Sequence, residues 1–283
     1  MTIETAITAT GRCLASRTLP NSHFYDELGL DTNEEWIRSR TGIVERRVVD
    51  REAGETTSTM CTAAARECLE RAGLEPTDID GIIVATSTGD LVFPPTACLV
   101  QHQLGATKAW AWDCAAACSG YVFALAQADG LLKAGRGRRI LVLGADTMSA
   151  ILDYSDRNSC IIFGDGAGCT LLEVVDSPRG GRVVDLVMHA DGSGMPLLYQ
   201  PAGGSAKPPT HASIDAGEHF LKQDGRRVFK HAVTRICEVI LELLERQGLG
   251  VEDVALVVPH QANIRIIEAC WKRLGMPEEK VMV

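Results

Sequence analysis

The sequence predicts an α/β protein built from two similar halves, residues 1–175 and 176–283. Three observations lead there. Apolar, β-rich runs alternate with helical patterns. A segment of the first half recurs in the second: Leu69-Glu-Arg-Ala-Gly-Leu74 is followed by Asp78-Ile79 and an apolar run, and Leu244-Glu-Arg-Gln-Gly-Leu249 by Asp253-Val254 and another. Finally, 46% of the 283 residues are hydrophobic and 23% charged, enough apolar material for a sizeable core.

The elements follow in order. Residues 79–86 read as a buried strand, and residues 109–112 as a short one. A helix is expected over 118–134, with Leu125, Ala128, Leu131 and Leu132 on its apolar face and Gly135 as its stop. Residues 139–144 read as the next buried strand. Residues 160–174 read as two extended stretches hinged at Gly164-Asp165-Gly166. The run 201–217, rich in Pro, Gly and Ser, reads as a long loop. Phe229, Val233, Ile236, Ile240 and Leu244 form one helical stripe, and residues 255–258 the strand after it. The first half continues through a further helix and several strands, whereas the second stops soon after its strand, with 279–283 reading as a strand just beginning. The second half is therefore expected to be incomplete, truncated on its C-terminal side.

Composition excludes some functions. The net charge of -9 argues against a nucleic-acid partner, which calls for a basic face. The uncharged run 114–128 is shorter than the roughly 20 residues a membrane span requires, so no membrane association is expected. The start Met1-Thr2-Ile3-Glu4 lacks the basic and apolar regions of a signal peptide. Ten scattered cysteines then read as reduced thiols of a cytoplasmic protein.

One thiol stands apart. In Asp113-Cys-Ala-Ala-Ala-Cys118-Ser-Gly120 a strand ends, small residues follow and a helix begins. A helix N-terminus favours thiolate over thiol, and small neighbours leave room for a substrate. A free cysteine is also commonly structural, so position alone leaves both readings open. Cys114 and Cys118 have no matching second pair for a metal site, and none is expected. A nucleophilic cysteine needs a partner. His260 follows the second half's strand directly, beside amide side chains; an ordinary loop histidine is the other reading.

Five motifs taken together resemble the β-ketoacyl-acyl-carrier-protein synthase III group of the thiolase-like condensing enzymes. They are Trp36-Ile-Arg-Ser-Arg-Thr-Gly-Ile43, Ala115-Ala-Ala-Cys-Ser-Gly120, Ile161-Ile-Phe-Gly-Asp-Gly-Ala-Gly168, Val228-Phe-Lys230 and Val258-Pro-His-Gln-Ala-Asn263. The resemblance implies the duplicated, layered α-β-α-β-α thiolase-like fold, which accounts for the repeat. It implies a decarboxylative Claisen condensation of an acyl-CoA primer with malonyl-acyl carrier protein, initiating fatty-acid synthesis. A related condensing enzyme or acyltransferase of secondary metabolism is the alternative. By the same resemblance Cys118 carries the acyl group and His260 stabilises the enolate together with an asparagine expected beyond Val283. A glycine loop expected later still supplies one oxyanion donor. Trp36 and Arg157 sandwich the adenine of CoA, and Arg40 lies near its phosphates. Phe229 and Asn263 line the pantetheine tunnel. Phe93 closes the acyl pocket of a partner subunit in a homodimer. Lys230 and Arg265 are candidates for docking the acidic carrier protein. Coenzyme A enters as a thioester substrate, and no cofactor is expected.

Overall fold

The computed structural model describes residues 3–176 and 181–283. In sequence order it contains β1 (Glu4–Leu14), β2 (Arg17–Pro20), α1 (Glu34–Thr41), β3 (Glu45–Val48), α2 (Thr57–Ala72), β4 (Gly81–Ala85), α3 (Thr96–Leu104) and β5 (Trp110–Cys114). There follow α4 (Gly120–Lys133), β6 (Arg139–Thr147), α5 (Arg157–Cys160), β7 (Asp165–Val175), β8 (Leu198–Tyr199), α6 (His211–Asp215), β9 (Lys222–Gln223), α7 (Gly225–Gln247) and α8 (Ile264–Leu274). These elements group into two compact units. The first comprises Met1–Thr18, Arg47–Ala150 and Gly164–Met188; the second comprises Leu19–Arg46, Ile151–Phe163 and His189–Val283. The packing units are therefore not the sequence halves, because two segments from before residue 175 pack with the C-terminal part.

The first unit is a layered α-β-α structure. Its sheet has the order β1-β7-β6-β4-β5. Strand β4 is parallel to both β5 and β6, while β7 runs antiparallel to β6 and β1. Strand residues alternate between the faces. Ile82, Val84, Leu141 and Leu143 pack with Met60, Cys61, Ala64 and Val100 of α2 and α3. Ile83, Ala85, Ile140 and Val142 pack with Ala124, Leu125, Ala128 and Leu132 of α4. A strand covered on both faces needs apolar residues at every position, so it reads as a continuous apolar run.

In the second unit α7 and α8 pack through Cys237, Ile266 and Cys270, joined by Phe229, Val233 and Ile236 from the predicted stripe. Helix α1 ends at Gly42, whose φ of +79° suits glycine; a Cβ there would lie 3.0 Å from the Ile264 side chain at the start of α8.

The repeat is geometric as well as sequential. Helices α2 and α7 end at Gly73 and Gly248, 175 positions apart and both left-handed. In each copy the glycine and the leucine after it bond back to the same two helical carbonyls: Gly73 N to Glu70 O and Leu74 N to Leu69 O, then Gly248 N to Glu245 O and Leu249 N to Leu244 O. A single 3-10 turn follows each (Pro76–Asp78, Val251–Asp253), closed by an aspartate that accepts from a backbone N–H three residues back. Then comes a parallel pairing: Ile82 with Ala111 in the first copy, Val257 with Val281 in the second.

Several sequence expectations need correction. The strand expected over 255–258 is a single bridge at Val257, because its described partner segment offers only Val281, through Val257 N to Lys280 O and Met282 N to Val257 O. The first of the two extended stretches over 160–174 is instead the end of α5 and a turn; the carboxylate of Asp156 caps α5, and β7 begins only at Asp165. The loop 201–217 contains α6, held by a reciprocal cap between Thr210 and Ser213. The helix expected from 118 begins at Gly120, so Cys118 lies in a 3-10 turn, Ala117–Ser119, ahead of it.

Candidate active site

Cys118 sits between β5 and α4 in the first unit. Ala117, just before it, has φ of +46°, a left-handed conformation that costs a non-glycine residue on the order of 1–2 kcal/mol. Such a turn presents its side chain outward, and Cys118 is exposed although both neighbouring elements are packed. Gly120 is small for packing: its missing Cβ would meet the Ala85 Cβ at 3.1 Å, so α4 approaches β4 closely at its first residue. Asp113, at the end of β5, accepts from the backbone N–H groups of Thr96 (2.7 Å) and Ala97 (2.8 Å). It thereby caps α3, whose own N-cap residue, Pro95, makes no side-chain cap bond.

The helix start does not lower the thiol as expected. The protein packed around the sulfur, and next the charge of Asp146, push the Cys118 pKa above its ordinary value; only its own backbone N–H pulls the other way. Asp146 is held by Ser87 N and Thr88 Oγ1, both at 2.8 Å. The motif residue Asp165 is a structural anchor. It is buried and accepts from Val49 N, Ser149 N and Ser149 Oγ.

In the second unit the structure brings together Trp36, Arg40 and Arg157. Trp36 and Arg40 lie one turn apart on α1, as their spacing predicts, with the guanidinium carbon of Arg40 5.1 Å from the Trp36 ring centre. Arg157, first residue of α5, reaches the same ring at 5.0 Å and also binds the carbonyl and carboxylate of Asp31. Two stacked layers need about 7 Å, twice an ordinary carbon contact. A base entering between Trp36 and Arg157 therefore has to displace the guanidinium.

Behind this cluster lies a buried cation absent from the sequence reading. Arg46 is 5% exposed, and its guanidinium stacks 4.5 Å from the Phe24 ring centre. Its Nη1 donates to Leu19 O and Asn21 Oδ1 (2.9 Å), its Nη2 to Ile161 O (2.7 Å), and no counter-charge is among these partners. Its Nε has no partner, and burial lowers its pKa to about 10. Asn21, 1% exposed, also donates to Ile43 O (2.9 Å), in the turn after α1. In the run Glu45-Arg46-Arg47 nothing marks the middle charge as the buried one.

The remaining candidates are placed as follows. His260 is an exposed residue after the Val257 bridge and borders a small apolar pocket with Val257, Pro259, Ile236, Ile266 and Trp271. Asn263 caps α8, its Oδ1 accepting from Arg265 N at 2.9 Å. Phe229 packs on the Ile266 and Cys270 cluster. Lys230 and Arg265 are exposed. Phe93, in the first unit, is 81% exposed beside Val92 at 97% and Leu91 at 54%. All ten cysteines are free thiols. Among the described residues no group of three or more His, Cys, Asp or Glu could hold a metal, and no helix is long and apolar enough to cross a membrane.

Known proteins of one family are similar to this chain. Residues 112–192 match the family model described as 3-oxoacyl-[acyl-carrier-protein] synthase III, and residues 244–283 match its C-terminal counterpart. The β-ketoacyl-[acyl-carrier-protein] synthase III of Chlorobium luteolum is 48% identical over 281 residues, 99% of this chain and 84% of that protein. The Porphyromonas gingivalis W83 protein of the same name is 43% identical over 281 residues, 99% of this chain and 82% of that protein. The crystal structure of 3-oxoacyl-[acyl-carrier-protein] synthase III from Aquifex aeolicus VF5 aligns with a TM-score of 0.85 at 40% identity, covering 99% of this chain and 83% of that one.

Proposed function

The chain belongs to the 3-oxoacyl-[acyl-carrier-protein] synthase III family, and on that premise we propose how its residues divide the work. It is a condensing acyltransferase with the mixed α/β thiolase-like fold. It joins an acyl-CoA primer to malonyl-acyl carrier protein with loss of carbon dioxide, the step that initiates fatty-acid synthesis. The observation that carries this is the 48% identity along nearly the whole chain.

In our reading the Cys118 sulfur attacks the thioester carbonyl of the primer, and CoA leaves as its thiol, taking up a proton. The raised thiol pKa means that this attack needs help in losing the Cys118 proton. Malonyl-acyl carrier protein then loses carbon dioxide, and the enolate carbon attacks the Cys118 thioester. The β-ketoacyl product forms as the cysteine sulfur departs. His260 serves this second half by donating to the enolate oxygen. These steps draw on side chains, backbone N–H groups and the thioesters themselves, so the proposal invokes no cofactor.

Trp36, Arg40 and Arg157 hold the nucleotide end of CoA; their convergence on one ring supports that role. Phe229 and Asn263 line the path of the pantetheine arm. Because the Oδ1 of Asn263 is committed to α8, what it offers a substrate is its amide N–H. Lys230 and Arg265 meet the acidic carrier protein, a role their exposure supports. We further propose a cytoplasmic homodimer in which Phe93 of one subunit closes the acyl pocket of the other. The exposed apolar run Leu91, Val92 and Phe93 supports such an interface.

The test is to incubate the reduced protein with acetyl-CoA and with longer and branched acyl-CoAs, then map adducts by peptide mass spectrometry. An acyl group on Cys118, absent in Cys118→Ser, is expected. An unmodified Cys118 with acyl label on another cysteine would overturn its role. Sedimentation of wild type against Phe93→Ala tests the dimer: a single mass of one subunit in both rejects it.

A further inference from the structure

The hydrogen-bond partners of Arg46 are none of the residues proposed to bind CoA, yet they belong to the frames of both sides of the Trp36 cluster. On one side its Nη2 holds the carbonyl of Ile161, the residue that ends α5. Helix α5 is only four residues long, too short to fix its own direction, and Arg157 is its first residue. A cation on its last carbonyl complements the negative helix end. On the other side Nη1 holds Asn21 Oδ1, and Asn21 in turn holds the carbonyl of Ile43 and donates its own N–H to Val44 O. That turn closes α1, which carries Trp36 and Arg40. The apolar floor between the two is shared: Phe24, Ile37, Cys160 and Ile161 pack as one cluster, with Trp36 against it.

A buried cation with no charged hydrogen-bond partner is costly, and an apolar side chain of similar size would fill the space without that cost. The residue is thus paired for geometry, its planar fork linking carbonyl and amide oxygens from two separate segments. We infer that Arg46 and Asn21 are positioning residues that set the spacing of Arg157 over Trp36, and so govern affinity for the nucleotide end of the thioester substrate rather than the reactivity of its acyl end. The inference rests on the nucleotide role proposed above for Trp36 and Arg157.

The experiment compares two acyl donors of equal reactivity, acetyl-CoA and acetyl-pantetheine, which lacks the nucleotide. The rate of Cys118 acetylation is followed by mass spectrometry against donor concentration, in wild type, Arg46→Lys, Asn21→Ser and Trp36→Ala, with circular dichroism to verify folding. For Arg46→Lys and Asn21→Ser, the half-saturating acetyl-CoA concentration is expected to rise roughly tenfold with the maximal rate unchanged, about 1.4 kcal/mol. Their rates with acetyl-pantetheine should stay within about twofold of wild type. Arg46→Lys keeps the charge and loses the fork, so an effect in this conservative variant marks geometry rather than charge. Equal losses with both donors, in whichever of the two variants folds, mean a purely structural role and overturn the inference. An unchanged preference for CoA in both folded variants, while Trp36→Ala lowers that preference, also overturns it. An unchanged preference in Trp36→Ala sinks the nucleotide reading instead, and the inference with it.

Discussion

The guanidinium carbon of Arg157 lies 5.0 Å from the centre of the Trp36 ring, where a nucleotide base is proposed to stack. The resting pair is a cation over an indole, and the proposed stack replaces that cation by a base. Adding CoA should therefore change tryptophan emission in wild type, and the change should be lost in Trp36→Phe. Arg157→Ala should raise the half-saturating acyl-CoA concentration about tenfold, a loss of the size expected for one desolvated stacking and charge contact. An identical CoA-induced emission change in Trp36→Phe rules the stack out.

Cys118 should behave as a thiol of raised pKa in the absence of substrate. Desolvation of the sulfur by the protein around it is the larger cause and Asp146 the second, and both disfavour the anion. A raised pKa leaves less thiolate at neutral pH, so alkylation of Cys118 by iodoacetamide should accelerate through neutral pH and level off only above 9.0, the ordinary value. Asp146→Asn removes the second cause alone and should move the curve part of the way to lower pH. Peptide mapping separates Cys118 from the other thiols. A plateau below pH 9.0 in wild type contradicts the prediction.

Asp165 is a stability residue inside a motif that looks catalytic. It satisfies two backbone N–H groups and a hydroxyl from two other segments. Asp165→Ala leaves those donors unpaired in a buried place and should cost about 2–4 kcal/mol, read from urea unfolding. In any population that remains folded, the Cys118 alkylation rate should be close to wild type. A variant of unchanged stability refutes this assignment.

Gly42 joins α1 to the turn before β3 with φ of +79°, and a Cβ there would lie 3.0 Å from Ile264. Both effects oppose alanine. Gly42→Ala should lower stability by about 1–2 kcal/mol, seen as a fall in Tm. Because the contact lies between α1 and α8, acyl-CoA affinity should weaken along with it. A Tm equal to wild type would show that Ile264 and the turn relax at no cost.

What could be read from sequence depended on how local the cause was. The first unit's strands were legible because residues such as Ile82 and Ile83 face opposite layers, so the whole strand is apolar. The repeat was legible because its caps, turn and aspartate are all set within a dozen residues. Cys118 stood out by its small neighbours, but its thiol pKa did not, since it depends on packing and on Asp146 from β6. Trp36 and Arg40 could be paired by helical spacing, whereas Arg157 reached them only through the family resemblance. Arg46 was invisible: its three oxygen partners come from residues 19, 21 and 161, and nothing near it in sequence distinguishes it from Arg47. The assignment of residues 19–46 and 151–163 to the second unit is likewise a matter of distant packing.

The 175-residue offset places Ala85 and His260 at the same position of the two copies. In one copy that position is a buried methyl group against which α4 rests at Gly120; in the other it carries the proposed enolate donor. The cassette of helix, glycine, 3-10 turn and parallel pairing is thus formed with a single carbon at this point. Its architecture makes no demand for an imidazole there. Chemistry could be added to one copy without redesigning the element that carries it, and the two copies could diverge in function while keeping the same set of backbone hydrogen bonds.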